Sequence, residues 1–267
     1  RISTFRLFKD GGFNIKGLKQ ALGSGAKKKI LVLNFPNNPT GYTPTDKEAE
    51  DIVSVLKDHA VTNKLIVVSD DAYFGLVYEK GIFSESIFSR LCNLHENLVA
   101  VKLDGITKEE YSWGLRIGFI TYNWKGAAED QYKALEDKTA GSVRATISNS
   151  CTLSQNIALE AFSDGTHDKE KLDKRKLLQE RYATINEILK EEKYKKHFKA
   201  LPFNSGYFMC LQLSDSLDAE QIRKRLLERY DTGLICFGNT LRVAFSSLNK
   251  KKLKTVFENI YDACEEG

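Results

Sequence analysis

The sequence is poor in the residues that organise metal sites and disulfide frameworks. Its five cysteines (Cys92, Cys151, Cys210, Cys236, Cys264) are odd in number, far apart and form no CxxC. Its four histidines never fall at metal-ligand spacing. Reduced thiols, a cytoplasmic protein and no structural metal are therefore expected. No apolar run is long enough to span a bilayer, which argues against a membrane protein. A concentrated basic stripe is missing too: the net charge of +4 is spread through segments such as KLDKRKLLQER, where acids are interleaved. That is a solvated helix face, so nucleic acid is not an expected partner. GSGAKKK (23–29) has the wrong Gly and Lys spacing for a phosphate loop. Methionine occurs once, at Met209, and the chain opens at Arg1 directly on STFRLF, which has the pattern of a strand. An N-terminally truncated piece of a longer protein is expected.

What the sequence does contain is enough apolar material, 42% of 267 residues, for a substantial core, read as one large domain plus a smaller one. Apolar runs alternate with helical patterns through the first half: ILVLNF (30–35), KLIVVSD (64–70), LVAVKLD (98–104) and RIGFITY (116–122). Runs so uniformly apolar predict strands buried on both faces, hence a mostly parallel sheet in an α/β layer. A helix is predicted from about residue 46, where Thr45 and Glu48 have capping-box spacing and Ile52, Val53, Val55 and Leu56 form an apolar stripe. The second half changes character. A charged periodic segment from Lys169 to about Lys195 reads as one long helix, followed by strands GYFMCLQL (206–213) and LRVAFSS (241–247). Two further helices are predicted around 218–230 and 249–265. The expected division is a partial large α/β domain, 1–167, then an interdomain helix and small C-terminal α+β domain, 168–267.

In a parallel α/β sheet, ligands sit beyond the carboxyl ends of the strands. The first strand ends in NFPNNPTG and delivers Asn38. The second delivers Asp70, Asp71 and Tyr73 in SDDAYFG, and the third runs into DGITK, ending at Lys108, with Arg116 eight residues later. Taken singly, each has an ordinary reading as turn former, helix cap, packed aromatic or surface lysine. Together they offer an amide, a carboxylate, a phenol, an amine and a guanidinium to one ligand.

The ordered set NNPTG (37–41), DDAY (70–73), TK (107–108) with GLRIG (114–118), NSGYF (204–208) and LRVAF (241–245) resembles the pyridoxal-phosphate-dependent aminotransferases of class I/II, the aspartate aminotransferase fold type I. The resemblance implies pyridoxal 5'-phosphate as cofactor and transfer of an amino group between an amino acid, with aspartate and aromatic amino acids as candidates, and a 2-oxo acid. By the same resemblance Lys108 would bond the cofactor aldehyde and then serve as base, while Asp70 would pair with the pyridine nitrogen. Asn38 and Tyr73 would donate to the ring oxygen, and Arg116, with the Thr107 hydroxyl, would hold the phosphate. Arg242 would clamp the substrate carboxylate. Gly105 stands where the family usually has a phosphate-contacting serine, with Asp104 before it. The family's glycine-rich turn and ring-stacking aromatic have no counterpart here, so weak cofactor binding by this chain is expected. A homodimer is implied for the whole protein. Two other readings stay open: a lyase or decarboxylase using the same cofactor, and a non-enzymatic aminotransferase-like sensor or dimerisation module.

Overall fold

A computed structural model describes residues 2–266. The elements, in chain order, begin with a hairpin of β1 (Phe8–Lys9) and β2 (Gly12–Phe13), then α1 (Ile15–Gly23), β3 (Lys28–Asn34), α2 (Asp46–Ala60), β4 (Lys64–Asp70) and α3 (Ile87–Leu91). β5 (Leu98–Gly105), α4 (Ile106–Glu109), β6 (Gly118–Trp124), α5 (Glu129–Thr146), α6 (Thr152–Ser163) and α7 (His167–Ile188) follow. The remainder comprises β7 (Phe198–Ala200), β8 (Met209–Leu213), α8 (Ala219–Tyr230), β9 (Ile235–Phe237), β10 (Thr240–Val243) and α9 (Lys250–Glu265).

The chain divides into two compact units. One comprises residues up to Phe35 with Pro44–Gly75 and Gly81–Lys171; the other comprises Pro36–Thr43, Leu76–Lys80 and Leu172 onward. Two short segments that the sequence reading groups with the first region thus belong to the second unit. Backbone bonds hold them there: the Gly41 carbonyl accepts from Asn204 N and Ser205 N at 2.9 Å each, and the Leu76 carbonyl accepts from Gly206 N at 2.8 Å.

The first unit is built on a sheet of order β3-β4-β5-β6, with β3, β4 and β5 parallel. The sheet is thus mostly parallel, as expected, with the fourth strand running antiparallel to β5. That strand's connection carries only the four-residue α4, where a parallel return usually uses a full crossover helix. Arg116 also has φ 56°, a left-handed conformation that delays the strand until Gly118. Helix α2 starts as predicted: Thr45 Oγ1 accepts from Glu48 N at 3.2 Å, and Glu48 Oε2 accepts from Thr45 N at 2.8 Å. Its stripe is centred on Ile52 and Leu56, both fully buried.

Full burial is confined to one face of β4, whose alternate residues Ile66 and Val68 are only half-buried. Leu65, Val67, Leu98 and Ala100 are essentially inaccessible, whereas Ile30 and Val32 on β3 are 68% and 61% exposed. The edge strand alternates in and out despite its uniformly apolar sequence, because only its odd-numbered side chains meet the core. STFRLF is also not a strand; only Phe8–Lys9 pairs, closing on Gly12–Phe13 through Asp10 and Gly11, both with positive φ.

The second unit carries an antiparallel sheet of order β7-β8-β10-β9. Its predicted strands are shorter than their apolar runs: 206–208 precede β8, and Phe245–Ser247 form a 3-10 turn after β10. The long helix ends at Ile188, not near Lys195, and Glu192–Lys196 form a separate 3-10 turn. That turn is pinned by Tyr194, 1% exposed and stacked on Phe198 with ring centroids 5.4 Å apart. On α9, Leu253, Val256, Phe257, Ile260 and Cys264 are buried as its periodicity predicts, along with Ala263, while Tyr261 lies partly exposed.

Candidate active site

The carboxyl ends of β4 and β5 and the start of β6 surround a cleft of about 230 Å³ lined by Asp70, Asp104, Thr107, Lys108, Arg116 and neighbouring backbone. Register explains the convergence. Asp70 pairs with Leu103, and Gly105 pairs with Gly118, so the last residue of β4, the end of β5 and the first residue of β6 lie side by side. The chain then turns at once into α4, which carries Thr107 and Lys108.

Of the two consecutive aspartates, alternation sends one to the cleft and one inward. Asp70 Oδ1 accepts from Ala72 N at 3.2 Å. Asp71 is 2% exposed, with Oδ1 accepting from Ser69 Oγ at 2.7 Å and Oδ2 lying 4.0 Å from Lys102 Nζ. Burial pushes the Asp71 carboxyl up from its ordinary range. Tyr73 is buried, and Lys108 Nζ stands 5.3 Å from its ring centroid. Arg116 donates to the Trp113 carbonyl at 3.4 Å and otherwise extends into solvent.

Asp104 was noticed in the sequence only as a neighbour of Gly105, yet it lines the cleft and is ion-paired with Lys102. Burial pulls the Lys102 ammonium down, but its bonds to Asp104 and Asp71 outweigh this and the net direction is up. Period-two spacing on β5 was the available indication that Lys102 and Asp104 share a face. Gly105 has a steric reason: a Cβ there would lie 2.5 Å from the Ile117 carbonyl oxygen. The close approach of β5 and β6 excludes a serine at this position.

Asn38 and Arg242 belong to the second unit. Arg242 Nη1 donates to Asn38 Oδ1 at 3.0 Å, and its guanidinium carbon stands 4.2 Å from the Phe208 ring centroid. Arg242 Nε is buried and has no hydrogen-bond partner among the described residues. The NNPTG loop bearing Asn38 is fixed from several sides. Thr43 Oγ1 and Ser205 Oγ are 2.7 Å apart, Cys210 Sγ donates to the Pro39 carbonyl at 3.3 Å, and Gly41 adopts φ 72° against the Phe208 carbonyl.

The cleft thus lies at the carboxyl ends of parallel strands and presents an amine, a guanidinium, a hydroxyl and carboxylates to one space. The family Aminotransferase class I and II matches residues 1–260, and the chain belongs to it. Among curated relatives, an aspartate aminotransferase of Bacillus sp. (strain YM-2) is 30% identical over 161 residues, 60% of this chain and 36% of the relative. An asparagine--oxo-acid transaminase of Streptococcus mutans is 26% identical over 216 residues, covering 78% of this chain and 49% of the relative. The crystal structure of an aminotransferase from Anaerococcus prevotii superposes with a TM-score of 0.85 at 26% identity, over 97% of this chain and 63% of that one. An alpha-aminoadipate aminotransferase from Thermus thermophilus, solved with N-(5'-phosphopyridoxyl)-L-leucine, shares the fold at TM-score 0.76 and 20% identity, over 97% of this chain and 64% of that one. The matched region thus spans between about a third and a half of these curated relatives' length.

Proposed function

We propose that this chain is part of a pyridoxal-phosphate-dependent aminotransferase exchanging an amino group between an amino acid and a 2-oxo acid. The observation that carries this reading is the gathering of Asp70, Thr107, Lys108 and Arg116 around one cleft in a member of the aminotransferase family. The donor set fits the cofactor: an amine for its aldehyde, a carboxylate for its ring nitrogen, and a guanidinium and hydroxyl for its phosphate. When bound, the group supplies an electron sink for the bond broken at the amino-acid α-carbon. Lys108 takes the α-proton at Nζ and returns it. Asp70, oriented by Ala72 N, would hold a proton on the ring nitrogen by its negative charge. Arg116 and Thr107 would bind the phosphate, and Tyr73 would donate a hydrogen bond to the ring oxygen. In the second unit, the Arg242 guanidinium, braced by Asn38 and Phe208, is suited to bidentate capture of a substrate carboxylate. Asn38, hydrogen-bonded to Arg242 within the same unit, serves that capture by holding the guanidinium.

Aspartate and aromatic amino acids are the proposed donors, supported by relatives named for each. A homodimer is proposed for the whole protein on the family resemblance alone, and a cytoplasmic location on the free thiols at all five cysteines. The test is product analysis of the whole protein with aspartate or phenylalanine, with and without 2-oxoglutarate. Transfer only in the presence of the oxo acid supports the reading; ammonia or carbon dioxide release without it supports elimination or decarboxylation instead. No turnover, with effector-dependent self-association, supports the sensor reading.

A further inference from the structure

Two glutamates follow Lys108 directly, and the structure shows where their charges go. Glu109 ends α4 and Glu110 caps it, and both side chains turn toward the start of α7. Lys171 Nζ donates to Glu110 Oε1 at 2.5 Å and to Glu109 Oε1 at 3.4 Å. His167 Nε2 lies 3.0 Å from Glu110 Oε2, and its Nδ1 lies 3.3 Å from the exposed Asp168. Glu109 and Glu110 retain only 23% and 13% of their side-chain exposure, so the contacts are shielded from bulk water. Beneath α4, Ile106 is held in an apolar cluster with Ile117 and Ala158. The four-residue helix is thereby anchored by a greasy underside and by one ionic latch.

We propose that Lys171 is a positioning residue for Lys108: it ties down the short helix and cancels the negative charge of Glu109 and Glu110 beside an amine that must act as a nucleophile. Burial raises the Glu109 carboxyl from its ordinary range, and Lys171 opposes that shift. The proposal rests on the reading of Lys108 as the reactive amine, but it concerns this chain's own charges and is measurable without turnover.

The test is competitive labelling of the chain with acetic anhydride, an uncharged amine reagent, comparing the peptides bearing Lys108 and the exposed Lys64 by mass spectrometry. In Lys171→Met the Lys108:Lys64 ratio at neutral pH falls by about threefold or more. Lys171→Arg keeps it, and Glu109→Gln with Glu110→Gln in the Lys171→Met background restores it. In the parent chain the double Gln variant raises the ratio, which decides the matter even where Lys171→Met does not fold. An unchanged ratio in folded Lys171→Met, or in the double Gln variant, overturns the proposal. The separate reading of Lys108 fails by a different observation: no phosphopyridoxyl mass on Lys108 when the whole protein is treated with pyridoxal phosphate and borohydride.

Discussion

Arg242 reaches Asn38, 204 positions away in the sequence, through a 3.0 Å hydrogen bond from Nη1 to Oδ1. That bond uses one guanidinium nitrogen, and the ring of Phe208 supports the face of the group. A lysine there has neither the planar fork nor the stacking surface. Arg242→Lys is expected to raise KM for the amino acid by roughly tenfold or more, a loss of about 1.4 kcal/mol, with a smaller change in kcat. Steady-state kinetics on the whole protein measure the split; an unchanged KM removes Arg242 from substrate binding.

Gly41 is the residue on which the NNPTG loop turns. Its φ of 72° disfavours a side chain, and a Cβ would sit 1.9 Å from the Phe208 carbonyl oxygen. Gly41→Ala should destabilise the second unit by about 2–4 kcal/mol, read as a shift in the urea midpoint.

The cysteines sort by environment. Burial pushes Cys210 and Cys264 up to about 12, while Cys151 is exposed and drawn downward by the Ser154 and Leu153 backbone at the start of α6. Iodoacetamide at mildly alkaline pH is expected to modify Cys151 quickly in the native chain and to spare Cys210 and Cys264 until denaturant is added, as peptide mass mapping reveals.

Acid should loosen the second unit through Glu265. Lys196 at 2.6 Å, then His197 at 2.6 Å and Tyr261, hold its carboxyl down to about 2, below the ordinary 4.5. A depressed carboxyl contributes stability above its unfolded value and loses it as pH falls from about 4.5 toward 2. Glu265→Gln should therefore flatten the acid limb of stability against pH, measured as urea midpoints at about pH 6 and pH 3, while changing the difference between pH 6 and pH 8 little.

The sheet strands, the capping box at Thr45 and the buried stripes of α2 and α9 were legible because local periodicity and capping chemistry act over a few residues. Helices α5 and α6 escaped notice. The first has no buried residue and the second only Ala158, so neither carries an amphipathic stripe. Family resemblance supplied Asp70, Lys108 and Arg116 as a set, and register in the sheet brings them to one cleft. The Lys102–Asp104 pair was legible in the period-two spacing of β5, whereas nothing in KEE indicates where two acids will find Lys171, 61 residues beyond Glu110.

The sequence by itself determined the strands β3, β4 and β5, the start of α2, the place of α9 and the residue types available at the strand ends, since these follow from short-range backbone and burial preferences. Only the tertiary structure decided that β6 runs antiparallel, that Gly105 has no room for a side chain, that Asn38 meets Arg242, and that Lys171 neutralises the acids beside Lys108. Those outcomes depend on distances between residues remote along the chain, which are set by packing and sheet register.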